Sequence, residues 1–150
     1  MTLLKISLRR MTALVKMSQP RRCRVSALGP AIGLPDGTIF AGISPDTGKA
    51  MYTTPEDAPL TYTFKEAMAY AEQLNANGHD DWRVPTKEEL NLLFNNRAAI
   101  GGFCKTGESP NGWYWSSSQN SNYHMGQRFN KGFQYNFNSY DDLSLRCVRS

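Results

Sequence analysis

The chain has 150 residues, of which 40% are apolar, 20% charged and 11% aromatic, with a formal net charge of +4. This composition can fill a hydrophobic core and the length suits one domain, so wholesale disorder and a two-domain protein are both disfavoured. No apolar run approaches the roughly 18 residues of a membrane-spanning helix, so no membrane span is expected.

The amino-terminal tail is basic, whereas the rest of the chain is acidic. Residues 1–29 contain seven Lys or Arg and no acid, and the remainder holds ten bases and thirteen acids, a net charge of −3. We expect residues 1–30 to be a disordered tail or a reading from an upstream start codon, with Met11 and Met17 as alternatives. A basic arm can bind nucleic acid, but no aromatic residues interleave with these charges, so no nucleic-acid partner is predicted. Charges also interrupt every candidate apolar run for a secretory signal.

The domain is placed at residues 34–150 and is predicted to start with a β-hairpin. Residues 38–43 are strand-like, residues 45–48 form a turn, and residues 49–54 return as the second strand.

A first helix is predicted after Thr63, because Thr63 and Glu66 have the spacing of a capping box. In this arrangement the threonine hydroxyl accepts from a free helix amide and the glutamate reaches back to the cap. The helix is predicted to end at Gly78. Its inner face is predicted to contain Phe64, Met68, Ala71 and Leu74.

A second helix is predicted after Thr86, with Glu89 as the partner in another capping box. Pro85 keeps the preceding residue extended and so separates strand from helix. The helix is predicted to end at residues 101–102. Its inner face is predicted to contain Leu90, Leu93 and Phe94.

The carboxy-terminal part is predicted to form antiparallel strands. Residues 113–118 are strand-like, residues 127–129 and 133–138 form a hairpin around a turn at 130–132, and residues 143–149 close the chain. Hairpin, helices and antiparallel strands follow in this order without a βαβ repeat. The predicted fold class is therefore α+β.

Three motifs together resemble one known family. They are GHDDWRVPTKEEL at residues 78–90, YWSSS at 114–118 and LRCVR at 145–149. In this order they resemble the Lcl C-terminal domain family, named for a Legionella collagen-like adhesin, over about residues 34–150. The resemblance implies a C-type-lectin-like fold, with two helices packed on an antiparallel sheet with long loops. It also implies a bacterial or phage origin and a binding role without an established reaction.

The motif residues are expected to build the scaffold. Trp82 is predicted to anchor the core, Arg83 to hold a loop carbonyl or carboxylate, and Thr86 to cap a helix. Arg146 and Arg149 are predicted to form salt bridges at strand ends. The full set of predicted structural residues is Trp82, Arg83, Pro85, Thr86, Glu89, Trp113, Trp115, Arg146, Cys147 and Arg149.

Residues 119–140 have the composition of a binding surface, with five Asn, three Gln, three Tyr, three Phe and one His. Rings can stack on sugar rings and amides can adapt their hydrogen bonds to hydroxyls. In lectin-like folds this late region carries the ligand. A polar hairpin with inward-packed rings is the alternative, and Phe129, Phe133 and Phe137 are expected to be buried. The predicted ligand-binding residues are Asn120, Asn122, Tyr123, His124, Gln127, Asn130, Gln134, Tyr135, Asn136, Asn138 and Tyr140.

No metal or other cofactor is predicted. The Glu-Pro-Asn and Gln-Pro-Asp triplets of calcium-dependent lectins are absent, although Asp141 and Asp142 could contribute carboxylates to a calcium ion. For zinc, the two histidines lack partners at ligand spacing. Cys104 and Cys147 could form a disulfide or remain buried thiols.

The predicted function is a non-catalytic, adhesin-like or lectin-like domain that binds a glycan or a surface protein. It would act as a homo-oligomer or in a larger assembly, extracellularly or on a cell or phage surface. Three alternatives are a structural component of a phage tail or cell envelope, a retroelement-diversified binding protein and an enzyme of the formylglycine-generating type. An enzyme is disfavoured because Cys104 and Cys147 lack the paired local arrangement and no catalytic motif occurs.

Overall fold

The computed structural model describes residues 33–104 and 112–150, so the predicted tail at residues 1–30 lies outside the described residues. The described part contains three helices and two antiparallel three-stranded sheets, which confirms the α+β class. The lectin-like topology stays a prediction. The strands are β1 (Ile39–Ile43), β2 (Ala50–Thr53), β3 (Trp113–Asn120), β4 (Tyr123–Arg128), β5 (Gln134–Phe137) and β6 (Val148–Arg149), and the helices are α1 (Phe64–Gln73), α2 (Lys87–Asn95) and α3 (Arg97–Ile100).

The first sheet has the strand order β1-β2-β6 and contains the predicted amino-terminal hairpin. Ser44 closes the hairpin turn by donating its amide to the carbonyl of Lys49 at 2.9 Å. The register shifts at Gly42, whose φ of 125° favours glycine. Close to this shift, the Leu92 side chain of α2 would lie 3.0 Å from a Cβ at Gly42, so the small residue lets helix and sheet approach.

The second sheet has the order β3-β4-β5 and confirms the predicted hairpin around residues 130–132. A second hairpin, between β3 and β4, was not predicted from the sequence. Its turn contains Ser121, whose φ is 55°. The strand β4 starts at Tyr123 rather than at the predicted Gln127, because the polar residues before Gln127 resemble a loop in the sequence.

Both capping boxes form as predicted. Glu66 returns to the amide of Thr63 at 3.1 Å, and Glu89 returns to the amide of Thr86 at 3.0 Å. The inner face of α1 is partly wrong: Ala67 is buried, whereas Met68 is 40% exposed. The small side chains of Ala67 and Ala71 let α1 approach the second sheet closely. Which face of α1 is buried therefore depends on packing and cannot be read from helical periodicity alone.

The helix ends also differ from the prediction. The first helix, α1, stops at Gln73 rather than Gly78, and Gly78 lies in the turn that follows. The second predicted helix is divided at Asn96 into α2 and α3. There the Asn96 side chain donates to the carbonyl of Ala41 at 2.9 Å, which ties the break to the first sheet. Gly101 ends α3 at φ 75°, as predicted.

Two hydrophobic clusters form the core, and the carboxy-terminal segment contributes to both. Residues 143–148 are all buried, so this segment is enclosed by the rest of the domain. The cluster beside α2 and the first sheet includes Ile39, Met51, Leu90, Leu93, Ile100, Phe103, Tyr114, Phe129 and Val148. The cluster beside α1 and the second sheet includes Ala67, Ala71, Trp82, Val84, Trp115, Leu143, Leu145 and Cys147.

Candidate ligand-binding site

The structure separates the predicted ligand-binding residues along the second sheet. Asn122 lies at the turn between β3 and β4, next to Asn120 and Tyr123, whereas Asn130 lies at the turn between β4 and β5. The six residues of β4 span about 20 Å between these turns. The two groups of amides therefore cannot contact the same small ligand.

Alternation along β5 also separates rings from amides. Tyr135 is paired with Gly126 and so faces the same side of the sheet as Trp115. Gln134 is paired with Gln127 and faces the opposite side, toward α2. The open part of the ring-bearing side is called the aromatic face here. Its residues are Trp113, Arg128, Phe133, Tyr135 and Phe137.

The aromatic face is a row of rings held by backbone pairing. The amide of Arg128 donates to the carbonyl of Phe133 at 2.8 Å, which places these two residues side by side at the end of the hairpin. Phe137 packs edge-on against Trp113, with ring centroids 5.1 Å apart, and against Tyr135 at 5.7 Å. The Arg128 guanidinium lies 5.9 Å from the Trp113 ring. Tyr135 is 65% exposed and Phe133 63%, so the outer rings are open to solvent.

The opposite end of the same side of the sheet is closed by α1 and the carboxy-terminal segment. Phe64, the first residue of α1, stacks on His124 at 3.6 Å between ring centroids. The Trp115 indole donates to the Tyr62 carbonyl at 2.6 Å. A Cβ at Gly126 would lie 2.9 Å from the Leu143 side chain and 3.0 Å from the Phe137 ring, so a larger residue would require these side chains to shift. The accessible rings are therefore confined to the end nearest the β4–β5 turn.

The amides on the other side of the sheet have structural partners. Gln127 is wholly buried, and its Nε2 donates to Asn91 Oδ1 at 2.9 Å and to the Gly132 carbonyl at 3.1 Å. The exposed residue Gln134 donates to the Lys87 carbonyl at 3.2 Å. These bonds tie the β4–β5 turn to α2. The structure thus places Gln127 in the interior rather than on a ligand-facing surface, because its amide satisfies polar groups of the helix and the turn.

His124 is also an interior residue rather than a surface contact. It is 9% exposed, and its Nδ1 has no hydrogen-bond partner among the described residues. Burial lowers the pKa of His124, so the ring stays neutral at physiological pH. The Phe64 ring that covers it belongs to α1, and this packing could not be read from the polar neighbours of His124 in the sequence.

The last predicted residues lie at and beyond the end of β5. Asn136 is half-buried on the amide side of the sheet. The Asn138 amide donates to Asp141 Oδ2 at 2.8 Å, and this bond holds a short loop. Tyr140 is 74% exposed in that loop, outside the ladder of the sheet. Tyr140 is thus accessible but is not one of the rings fixed by strand pairing.

The prediction that Phe133 is buried, like Phe129 and Phe137, is wrong. Of these three rings, Phe129 is fully buried, Phe137 is half-buried and Phe133 is 63% exposed. Phe133 shares a face with Phe137 but directly follows the turn, whereas Phe137 packs against Trp113 and Trp115. The polar turn directly before Phe133 is the sequence feature that could have indicated its exposure. Arg128 was missed because a single arginine in a strand has no distinctive pattern.

Residues 44–149 match the family model of the Lcl C-terminal domain. The chain belongs to the Lcl C-terminal domain family. No curated protein matches the chain.

In this Lcl C-terminal domain, the first motif centres on a buried carboxylate. Glu89 accepts from both guanidinium nitrogens of Arg83, at 2.5 and 2.8 Å, and from the Ser44 hydroxyl at 2.8 Å. Burial by itself raises the pKa of Glu89, but the bonds from Arg83, Thr86 and Ser44 outweigh it and lower the pKa to about 2. The carboxylate therefore joins the β1–β2 turn to α2, and Arg83 binds a carboxylate of the helix rather than of a loop.

The last motif of the Lcl C-terminal domain contains a fully buried arginine. Arg146 Nε donates to Asp57 at 2.9 Å, and the two terminal nitrogens donate to the carbonyls of Thr54 at 2.9 Å and Gly101 at 3.2 Å. Its guanidinium lies 4.0 Å from the Phe103 ring centroid. Arg146 thus connects three segments, residues 54–57, residues 101–103 and its own, and its bonds compensate the cost of burying a charge.

Asp57 also accepts from the Tyr114 hydroxyl at 2.5 Å, and that hydroxyl in turn accepts from the Cys104 amide at 2.6 Å. Burial, followed by the negative charge of Asp57, raises the pKa of Tyr114. Tyr114 therefore stays protonated and donates to the carboxylate. This network belongs to the scaffold of the Lcl C-terminal domain and does not reach the aromatic face.

Other motif residues also form contacts within the scaffold. Arg149 pairs with Asp81 at 2.6 Å, and Trp82 is buried, with its indole donating to the carbonyls of Ala76 and His79 at 3.1 Å. Cys104 is disulfide-bonded and Cys147 is a free buried thiol, so these two do not pair with each other. Burial raises the pKa of Cys147 to about 12.

Within residues 33–104 and 112–150, no three His, Cys, Asp or Glu side chains gather in a way that could hold a metal ion. The helices of the same part of the chain are all too short or too polar to cross a bilayer.

Proposed function

We propose that this domain is a non-catalytic binding module that recognises a glycan through the aromatic face, in the manner of an adhesin or lectin. The observation that carries the proposal is the exposure of Tyr135 and Phe133 on a strand whose position is fixed by pairing. Among the described residues, Phe133 and Tyr135 are the two strongly exposed rings that lie on the aromatic face, and their proximity on one strand offers a ligand a contiguous apolar surface.

The chemistry of the face suits a sugar. Its rings offer flat apolar surfaces at a low entropic cost, since aromatic side chains have few rotatable bonds. Arg128 adds several N–H donors beside Trp113, and Asn130 adds an amide at the adjoining turn. Hydroxyl groups of a sugar stacked on Tyr135 could therefore be bonded around its edge. A C-type-lectin-like fold, which the family resemblance implies, is part of this proposal.

A non-catalytic role is supported by the engagement of the buried reactive groups. Glu89 and Arg146 are held in structural networks, and the thiol of Cys147, with its raised pKa, is a poor nucleophile.

The test is a glycan array with the full chain, followed by titration calorimetry with the best oligosaccharide. Tyr135→Ala should weaken binding by at least about tenfold, because truncating a central ring that stacks on the ligand costs about 2 kcal/mol or more, and about 1.4 kcal/mol corresponds to tenfold. Tyr140→Ala is the matched control: it removes an equally exposed tyrosine of the same segment outside the sheet and should change affinity less than about twofold.

The proposal is wrong if both tyrosine variants bind like the unaltered protein. If the array is blank and a surface protein binds instead, with the same dependence on Tyr135, the aromatic face remains the site and the ligand class changes, since protein interfaces are also enriched in aromatic residues.

A further inference from the structure

The outer edge of β5 carries no neighbouring strand within the described part of the chain. The strand order is β3-β4-β5, so β3 and β5 are the two edges of this sheet. The β3 edge is covered, because the Ser144 amide donates to the Trp113 carbonyl at 2.8 Å and the Ser144 carbonyl accepts from the Trp115 amide at 3.1 Å. Within the described residues, β5 is therefore the edge of this sheet along which no other segment pairs.

Two residues of β5 direct their backbone groups outward. In an antiparallel pair, alternate residues bond to the neighbouring strand. Because the Arg128 amide bonds to the Phe133 carbonyl, Phe133, Tyr135 and Phe137 bond toward β4. The N–H and C=O groups of Gln134 and Asn136 therefore point away from the sheet.

Apart from its short length, β5 lacks the usual protections of an edge strand. Natural edges are blunted by charged side chains, proline or bulges. The four residues of β5, Gln134–Phe137, include neither a charge nor a proline. The β4–β5 register is regular, whereas the β1–β2 and β3–β4 registers each contain a shift.

We propose that β5 pairs antiparallel with β5 of a second copy of this chain, giving a two-fold dimer with a continuous six-stranded sheet. In this register Gln134 lies opposite the partner's Asn136, and the outward backbone groups of both residues are paired. Tyr135 lies opposite the partner's Tyr135 at the two-fold axis. A two-fold contact requires such self-complementarity, since the same patch serves both copies.

Charge at the two ends of β5 favours this partner. The turn before β5 contains the exposed Lys131, and the loop after it contains Asp141 and Asp142. Antiparallel pairing brings the basic end of one copy beside the acidic end of the other, twice in the dimer. The strand between these ends is uncharged, so two copies meet there without the like-charge repulsion of a domain whose net charge after residue 29 is −3.

The dimer does not depend on the proposed function, but it would affect the same face. Tyr135 of each copy points to the same side of the joined sheet, so two aromatic faces would become one surface. The contact is small, consisting of one short strand from each copy. We therefore expect a weak, concentration-dependent dimer rather than an obligate one.

The experiment is sedimentation equilibrium of the full chain over a wide concentration range, with no ligand added. We expect a reversible monomer–dimer equilibrium. In parallel, hydrogen exchange of the Gln134 and Asn136 amides should slow as concentration rises, whereas that of Tyr135, already bonded to β4, should not change. A chain that stays monomeric throughout, or that forms a trimer with fast exchange at Gln134 and Asn136, would overturn the proposal.

The decisive variant is Asn136→Pro, which removes an outward N–H without removing a bond to β4. It should weaken dimerisation by at least about tenfold, since both symmetry-related bonds are lost. Asn136→Thr keeps the N–H and should dimerise like the unaltered chain.

A second variant, Tyr135→Lys, covers the case in which Asn136→Pro does not fold. Tyr135 is exposed, so the lysine is tolerated in the monomer but places two like charges across the axis. Dimerisation should fall at low salt and recover partly at high salt. A dimer that survives both substitutions contradicts the proposal, as does an edge occupied by a strand of another protein. Because dimerisation is measured without ligand, its failure leaves the glycan test of Tyr135→Ala unaffected.

Discussion

The scaffold motifs and the aromatic face use opposite chemistry. In the motif regions, charged side chains such as Arg146 and Glu89 are buried and fully bonded, whereas in the second sheet uncharged rings such as Tyr135 are exposed. Buried charges hold distant segments together, and exposed rings contribute little to that task. Substitutions in the first region should therefore act on folding, and those in the second on recognition.

The largest expected effect is on folding, from Arg146→Ala. It removes the guanidinium from the buried carboxylate of Asp57 and from two carbonyls, and should lower the free energy of unfolding by about 3–5 kcal/mol. Urea unfolding followed by circular dichroism measures the change. Arg149→Ala is the matched control, because its partner Asp81 is half-exposed and the loss should stay below about 1 kcal/mol. Equal losses in the two variants would contradict the distinction between buried and surface pairs.

An intermediate effect is expected at Glu89. The pKa of this group is lowered from 4.5 to about 2 in the folded state, so its contribution to stability is complete above pH 4.5 and is lost as pH falls from there toward 2. Glu89→Gln should cost about 2 kcal/mol at neutral pH and flatten the acid side of the stability curve. The free energy of unfolding measured against pH tests this.

Glu88→Gln is the control for that measurement. Glu88 lies beside Glu89 on α2 but is exposed, and its only described ion pair, with Lys87, has a separation of 3.8 Å. The acid slope should survive in this variant. If both substitutions flatten the slope alike, the acid sensitivity does not come from the buried pair.

The smallest effect is expected at His124, on the closed part of the second sheet. Burial lowers its pKa, so the unfolded chain binds a proton near pH 6.5 that the folded chain rejects, and stability declines as pH falls below about 6.5. His124→Phe should remove this decline and change stability at pH 8 by less than about 1 kcal/mol. Thermal unfolding of the variant and of the unaltered protein, at pH 8 and at a pH below about 6.5, measures the decline. An unchanged decline in the variant would show that His124 is not its source.

The elements fixed by neighbouring residues were the ones predictable from sequence. Both helix starts follow from Thr63 and Thr86 with glutamates three residues later, and the hairpin around residues 130–132 follows from its turn and alternation. These signals are local, because the hydrogen bonds involved span only a few residues.

The unpredicted features depend on contacts between distant parts of the chain. Gln127 is buried because Asn91, on α2, accepts its amide, and Met68 is exposed because alanines on α1 pack more closely. The contrast between Phe133 and Phe137 arises because Phe137 packs against Trp113 and Trp115. The composition of residues 119–140 does not indicate which of its polar and aromatic side chains are accessible.

The enclosed thiol of Cys147 provides the domain with an internal reporter. It is buried against α1 and its raised pKa keeps it protonated, so an alkylating reagent in solution should modify it only when this part of the molecule opens. The rate of labelling at Cys147 then measures how often the scaffold opens in solvent conditions where no unfolding transition is visible.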